Sequence, residues 1–400
     1  MKIVLINSVS YGSTGSIMFN IHKFLLNSGI ESYAIWGRGR KAENNNEVFL
    51  SNKIGVFFHK LFSMLTGRTG FASYRSTKKL LKILDKIQPN IIHLNNIHGY
   101  YLNIELLFNY IKKNNIKVVW TLHDCWSFTG HCAHFSHIGC NKWETKCFEC
   151  PKYNEYPFSC VDNSAWNYTH KKNLFNGVND LTIITPSDWL ANLVKKSFLK
   201  DYTVKVINNG IDTSIFRKLP ENELSFRKQN HLENKKIILG VAAQFGKKKG
   251  FDDFIKLSKI LDDEYIIVLV GLTRKQISYL PNNVMGISRT SNVNELVDIY
   301  NSSDLFVNLT YEENYPTVNL EAIACGTPVL TYDTGGSAEF LKFLDGNTKK
   351  YIIEKEKVEN DFTVLKNRIY DIINDDFQFD HLSSIDCKTM VDHYIDIYKI

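Results

Sequence analysis

Two carboxylates flank the start of a helical pattern late in the chain. Glu313 precedes Pro316, a residue that suits the first turn of a helix, and Glu321 lies about one turn further in. The free N–H groups at such a helix start can bind an anion such as a diphosphate. A carboxylate at 321 can accept hydrogen bonds from both hydroxyls of a ribose, and one at 313 can reach a sugar. The alternative is that Glu321 only stabilises the helix N-terminus. Gly326 can end this helix, and a strand pattern follows it; this arrangement favours ligand binding.

A second candidate phosphate site lies at 240–251, where a strand pattern leads into a helix through three consecutive lysines. A lysine at such a turn is a point charge suited to phosphate. Three lysines in a row are also common in solvated loops, so the run alone leaves both interpretations open. Near the N-terminus, the glycines of the loop 11–16 allow a backbone to approach a phosphate or a sugar. Neither a dinucleotide-binding glycine fingerprint nor a P-loop is present, which argues against dehydrogenases and nucleoside triphosphatases.

Polar side chains follow two of the strand patterns in the first half of the chain. Ligands bind at the carboxyl ends of parallel strands, so these positions suit ligand contacts. His123 follows the strand pattern at 117–121, and its alternative is a structural histidine bonded to Asp124. Weaker candidates for ligand contact follow the pattern at 90–94; these are Asn95, Asn96 and His98.

Six of the eight cysteines lie between positions 125 and 160. In a reducing compartment this density favours metal binding or packing over disulfides. The candidate ligands of a structural zinc ion in the insertion 131–156 are Cys132, Cys140, Cys147 and Cys150. The last two form a Cys-x-x-Cys pair, which is half of a common zinc motif. Three histidines are alternative ligands, His131, His134 and His137, and reduced cysteines packed in a loop are the competing interpretation.

The charge of the chain is unevenly distributed. Through position 215 there are 25 Lys and Arg residues against 14 Asp and Glu, whereas the remainder has 23 against 28. The basic excess is densest at 53–86, with eight basic residues and one acid, and Phe57 and Phe58 are interleaved with them. Basic and aromatic residues together suit an anionic membrane surface or a lipid-phosphate acceptor. A solvated helix face with an ordinary buried stripe explains the pattern equally well.

Short apolar runs alternate with amphipathic stretches, which predicts parallel sheets covered by helices. The predicted strands are 2–6, 33–36, 90–94, 117–121, 181–185, 204–207, 236–241, 265–270, 304–308 and 328–331. The predicted helices are 16–26, 78–87, 104–113, 188–198, 251–261, 293–300 and 317–324.

A chain of 400 residues exceeds what one core organises, so two α/β domains are expected. We place them at 1–212 and 213–384, with a C-terminal helix at 385–400 that returns to the first domain. No apolar run reaches membrane-spanning length and no signal peptide is recognisable, which predicts a cytoplasmic protein.

The chain resembles the family 4 glycosyltransferases. Their hallmark is a pair of glutamates separated by seven residues, matched by Glu313 and Glu321, and the run 321–329 matches the usual continuation. The resemblance implies the GT-B fold, two Rossmann-like domains facing a cleft, and sugar transfer with retention and without a catalytic metal. It also implies that Glu321 binds the donor ribose, that Glu313 and His123 face the reacting sugar, and that Lys249 binds the diphosphate. The candidates for the acceptor side are then Asn95, Asn96 and His98. Further donor contacts implied are Gly15, Gln244, Asn314, Tyr315, Pro316, Thr317 and Val318.

This sequence departs from the family at Gln244, where an arginine is usual five residues before Lys249. Lys247 and Lys248 are both candidates to supply the lost charge. The run 123–132, with its downstream cysteines, resembles a subgroup that builds bacterial surface polysaccharides of the colanic-acid type, such as capsule and exopolysaccharide. We therefore expect a UDP- or GDP-sugar donor, a glycan or lipid-linked glycan acceptor, and peripheral membrane contact through 53–86. The alternatives are a zinc-containing protein that binds nucleic acid or glycan without transferase activity and, last, a nicotinamide oxidoreductase.

Overall fold

The computed structural model describes residues 1–399. It divides the chain into two compact units, one formed by Met1–Asn208 with the segment from Met390 onward, the other by Asn209–Thr389. None of the helices in the described chain has both the length and the apolar character needed to cross a bilayer.

The strands form two sheets in which every pairing is parallel. Those of the first unit, in chain order, are β1 (Lys2–Val9), β2 (Glu31–Arg38), β3 (Glu47–Phe49), β4 (Ile91–Leu94), β5 (Lys117–Thr121), β6 (Leu181–Thr185) and β7 (Thr203–Val206). Those of the second are β8 (Lys236–Val241), β9 (Tyr265–Val270), β10 (Val284–Ile287), β11 (Leu305–Asn308), β12 (Val329–Tyr332) and β13 (Ile352–Ile353).

The helices cover the faces of these sheets. The described chain has α1 (Gly12–Asn27), α2 (Lys53–Thr66), α3 (Tyr74–Ile87), α4 (Ile104–Asn114), α5 (Ser164–Phe175), α6 (Asp188–Lys196), α7 (Phe226–Gln229), α8 (Phe251–Ser258), α9 (Arg274–Ile277), α10 (Val293–Asn301), α11 (Thr317–Ala324), α12 (Lys355–Asn360), α13 (Phe362–Ile373) and α14 (Cys387–Lys399).

The first unit has the strand order β3-β2-β1-β4-β5-β6-β7. Its central strands are continuous apolar runs because helices cover both faces of a parallel sheet; all four residues of β4 are buried. The covering helices follow the 3.6-residue period, as in α4, which buries Ile104, Leu107, Phe108 and Ile111. From Met390 onward α14 belongs to this unit, where the Tyr398 hydroxyl lies 2.6 Å from His93 Nδ1.

The second unit has the order β10-β9-β8-β11-β12-β13. In both units the chain reverses its direction of winding beside the first strand, between β1 and β4 and between β8 and β11. Ligands of open α/β sheets bind at such a switch point, at the carboxyl ends of the strands. Two doubly wound α/β units confirm the predicted fold class.

Several elements differ from the sequence prediction. The helix α1 begins at Gly12, four residues earlier than the predicted 16, and the elements β3, α2, α5, β10 and β13 were not predicted. Gly15 therefore lies in the first turn of a helix. A Cβ there would stand 2.7 Å from the carbonyl carbon of Ser10, so the glycine allows the helix to approach the end of β1.

Candidate active site

In the second unit, the lysine turn and the glutamate loop form one site. Lys249 Nζ donates to Glu313 Oε2 at 2.5 Å, and Lys248 Nζ lies 3.2 Å from Glu312 Oε2. The lysines follow β8 and the glutamates follow β11, the two strands that flank the switch point. The two segments that the sequence singled out separately thus converge where a ligand is expected.

Two glycines allow these loops to pack so closely. Gly250 has a φ of +72°, and a Cβ there would lie 2.3 Å from the carbonyl oxygen of Leu309. Gly335 has a φ of +60°, and a Cβ there would lie 1.9 Å from the carbonyl oxygen of Glu313. Any other side chain would push the loops apart, so the position of Glu313 depends on both glycines.

Glu321 lies on α11 and is partly buried. Its Oε2 accepts a hydrogen bond from the Tyr300 hydroxyl at 3.0 Å. Burial raises the pKa of Glu321 from its ordinary 4.5 to about 7, although the hydroxyls of Tyr300 and Thr317 act in the opposite direction. Close to neutral pH the carboxylate can therefore be ionised and accept hydrogen bonds from a ligand.

The other predicted donor residues lie at different places in the fold. Asn314 and Tyr315 are buried in the loop before α11, Pro316 is its N-terminal cap, and Thr317 and Val318 form its first turn. Gln244 is exposed in the turn after β8. Gly15 belongs to the first unit, where the structure shows a packing reason for it, so its donor contact stays a prediction.

The acceptor-side candidates converge in the first unit, after β4 and β5. His123 Nε2 lies 3.0 Å from Asn95 Oδ1, and His98 Nε2 lies 2.8 Å from Asp124 Oδ2. The backbone N–H of Asn96 donates to Asn7 Oδ1 at 3.2 Å. The considered pairing of His123 with Asp124 is not found, because Asp124 is held by His98 instead.

Protonation follows from these contacts. Burial lowers the pKa of His123 to about 4, so its ring is neutral at pH 7. An amide oxygen only accepts, so Nε2 carries the proton and Nδ1 is an acceptor for a hydroxyl. Burial raises the pKa of Asp124, but the charge and hydrogen bond of His98 outweigh burial and lower it to about 2.

Comparison with known proteins assigns the family. Residues 15–215 match the sequence model described as Glycosyltransferase Family 4, and residues 222–379 match the one described as Glycosyl transferases group 1. The chain belongs to glycosyltransferase family 4. The predicted family is confirmed, and the alternative of a binding protein without transferase activity is not favoured.

Relatives of this glycosyltransferase cover from half to all of its length. The putative colanic acid biosynthesis glycosyl transferase WcaC of Escherichia coli K12 is 23% identical over 404 residues, covering 97% of this chain and 96% of the relative. The processive diacylglycerol alpha-glucosyltransferase of Acholeplasma laidlawii is 27% identical over 224 residues, covering 50% and 66%. Anabaena HepE in complex with UDP-glucose has a TM-score of 0.64 at 15% identity, covering 100% and 99%. Sucrose-phosphate synthase of Thermosynechococcus elongatus also has 0.64, at 14% identity, covering 100% and 98%.

Sequence reasoning missed two residues of the transferase that the structure places among the candidates. Tyr300, at the end of α10, holds Glu321, and nothing in its local sequence indicates this contact. Arg38 ends β2, and the rule that polar residues after parallel strands face ligands could have found it.

The cysteine insertion of the transferase surrounds a small cavity. All four predicted zinc ligands line this space of about 20 Å³. The Sγ of Cys147 accepts a hydrogen bond from the Gly130 N–H at 3.2 Å, and the side chains of Cys132 and Cys150 are in contact. Within residues 1–399, however, no group of three or more His, Cys, Asp or Glu side chains is arranged to hold a metal ion. The thiols would have to rotate towards one centre, and the zinc site stays a prediction.

Proposed function

We propose that this transferase moves a sugar from a nucleoside-diphosphate sugar to a glycan acceptor with retention of the anomeric configuration. The observation that carries the proposal is the Lys249–Glu313 ion pair at the switch point of the second sheet, next to the start of α11. Support comes from Anabaena HepE, which shares the fold and was solved with UDP and with UDP-glucose.

Lys249 would stabilise the diphosphate as negative charge develops on it during departure. Without a donor, Glu313 neutralises this lysine at 2.5 Å. A bound diphosphate would take over the ammonium group, and the released carboxylate of Glu313 could then accept hydrogen bonds from the donor sugar. The N–H groups at the start of α11 would bind the same diphosphate, and Glu321 would hold the ribose.

Retention would follow if the acceptor attacks from the face that the diphosphate leaves. The bond between the anomeric carbon and the phosphate oxygen breaks, and the acceptor oxygen forms its bond on the same side. The acceptor proton moves to the departing phosphate oxygen, so no enzyme nucleophile is consumed. In the first unit, neutral His123 would offer Nδ1 to a sugar hydroxyl.

The acceptor would be a lipid-linked glycan in surface polysaccharide synthesis, reached by a transferase that binds the inner face of the membrane peripherally. The helix α2 leaves four apolar side chains more than half exposed, Ile54, Phe57, Phe58 and Leu65. Beside it, a groove of about 840 Å³ is rimmed by Arg75 and Lys79. Apolar side chains that insert between lipids, next to cations that attract anionic headgroups, are the features of an interfacial helix.

The donor can be tested with a panel of UDP- and GDP-sugars in thermal unfolding. A ligand that binds only the native state raises its melting temperature, by an amount that grows with concentration over the dissociation constant. We expect one nucleotide sugar to stabilise the wild type and to do so less in Lys249→Gln. The anomer of the product, read by NMR, then tests retention. No stabilisation by any nucleotide sugar would refute the proposal.

A further inference from the structure

We propose that the first unit contains a binding site for an anionic acceptor, in which Arg38 binds a phosphate group of the acceptor molecule. The inference rests on the proposed function, since it names the chemical class of the acceptor. The ligand is a phosphate ester or diphosphate, either the link between a glycan and its lipid or a free sugar phosphate.

The guanidinium of Arg38 has unused hydrogen-bonding capacity. Its Nε is buried and has no hydrogen-bond partner, and no ion pair of Arg38 is found in the described part of the chain. Two residues further on, Arg40 donates to both carboxylate oxygens of Glu47, at 2.9 and 2.8 Å. A buried donor of a charged group without an acceptor is costly. The contrast with Arg40 indicates that the acceptor for Arg38 is supplied by a ligand.

Arg38 lies at the cluster that includes the acceptor-side candidates. A Cβ at Gly99 would stand 3.2 Å from Arg38 Nη2, so the guanidinium packs over this glycine, beside His98. His98 Nδ1 in turn lies 3.2 Å from the Tyr156 hydroxyl. Burial and the charge of Asp124 raise the pKa of Tyr156, while the nearby Arg38 opposes this rise.

A second unsatisfied atom of this cluster is also a donor. Asn95 Nδ2 is buried without a partner, while its Oδ1 is occupied by His123. The acid of this cluster, Asp124, is already engaged by His98 and by the Trp126 N–H at 2.9 Å. Unused donors without a free carboxylate favour an anion. The planar fork of arginine matches two oxygens of a phosphate, which a neutral sugar hydroxyl does not offer.

Calorimetry with farnesyl phosphate, glucose 1-phosphate and farnesol tests the site. The titrations use Lys249→Gln, because this change weakens phosphate binding at the donor site of the second unit. We expect a phosphate compound to bind and the added Arg38→Gln change to weaken it about 10- to 100-fold, the effect of losing a charge-assisted hydrogen bond. Farnesol should bind weakly in both variants. Tighter binding of farnesyl phosphate identifies a lipid source, and tighter binding of glucose 1-phosphate a soluble one.

The matched control is Lys23→Gln, which removes one positive charge from the same unit at an exposed position of α1, outside the basic segment 53–86. It should leave phosphate binding unchanged. If Arg38→Gln does not fold, Arg38→Lys keeps the charge without the fork and should still weaken binding several-fold. Equal phosphate affinity with and without Arg38 overturns the inference. Failure of the donor site is distinguishable, because it appears as absent nucleotide-sugar binding in the wild type.

Discussion

Replacing Glu321 by glutamine should stabilise the second unit and weaken donor binding at the same time. A carboxyl whose pKa rises from 4.5 to about 7 on folding favours its protonated form in the native state. Ionisation of this group therefore subtracts from stability increasingly as pH rises through the interval between these values. The cost is about 1 kcal/mol at pH 5, about 2 at pH 6 and about 3 at pH 8. Glu321→Gln removes this cost, so its stability advantage should grow by about 2 kcal/mol from pH 5 to pH 8.

The distribution of tryptophans provides an internal control for this measurement. All six lie in the first unit, so urea unfolding followed by tryptophan fluorescence reports on that unit, whereas far-UV circular dichroism reports on both. We expect the Glu321→Gln difference in circular dichroism and not in fluorescence. Glu356→Gln removes an exposed acid of the second unit, to which Glu321 also belongs, and its stability difference from the wild type should not depend on pH in this way. A Glu321→Gln variant whose stability difference is constant between pH 5 and pH 8 would refute the raised pKa of Glu321 in the folded protein.

The other predictions concern the ion pair, the membrane and the metal. Glu313→Gln should bind a free nucleoside diphosphate several-fold more tightly, because the carboxylate no longer competes for Lys249, but it should transfer the sugar more slowly. If calorimetry shows that the variant binds UDP and GDP no more tightly than the wild type does, this competition is contradicted. Phe57→Glu with Phe58→Glu should abolish sedimentation with phosphatidylglycerol vesicles; phosphatidylcholine vesicles serve as the control, and retained binding would exclude α2 as the contact. Purified protein should contain about one zinc per chain by mass spectrometry, if the four thiols bind it as a set. Cys147→Ser should lower this content and the exposed Cys160→Ser should not, and a zinc-free protein with reduced thiols would end the zinc prediction.

The fold was predictable wherever a strand is a continuous apolar run. The bounds of β5, β6, β8 and β9 coincide with the prediction, because burial on both faces makes these strands largely apolar. The bounds of α11 also coincide, because Pro316 and Gly326 mark its two ends. The misses have physical reasons. The strand β3 has three residues, too few to show a period. The helix α5 buries Lys171, whose Nζ donates to the carbonyl oxygens of Trp126 and Thr129, so its inner face does not look apolar in the sequence.

The candidate site was predictable only in part. Residues close together in the sequence could be assigned to one site, whereas contacts between distant segments could not. Glu313 and Glu321 lie in one segment and share a helix start, so their spacing alone indicates a common ligand. The contact between Lys249 and Glu313 could not be predicted, because the two residues lie in loops that are far apart in the sequence. The neighbouring strands β8 and β11 bring these loops together, and Gly250 and Gly335 allow them to pack closely.

The same reasoning separates Arg38 from Arg40, which are equivalent in the sequence. Arg40 is neutralised by Glu47, the first residue of the unpredicted strand β3, so its pairing could not be foreseen without that strand. Once that pairing is known, Arg38 is distinguished by the absence of a comparable partner within residues 1–399. A charge that is already paired within the fold contributes little to binding an external anion. Tertiary structure therefore decides which of the two neighbouring arginines can bind a ligand.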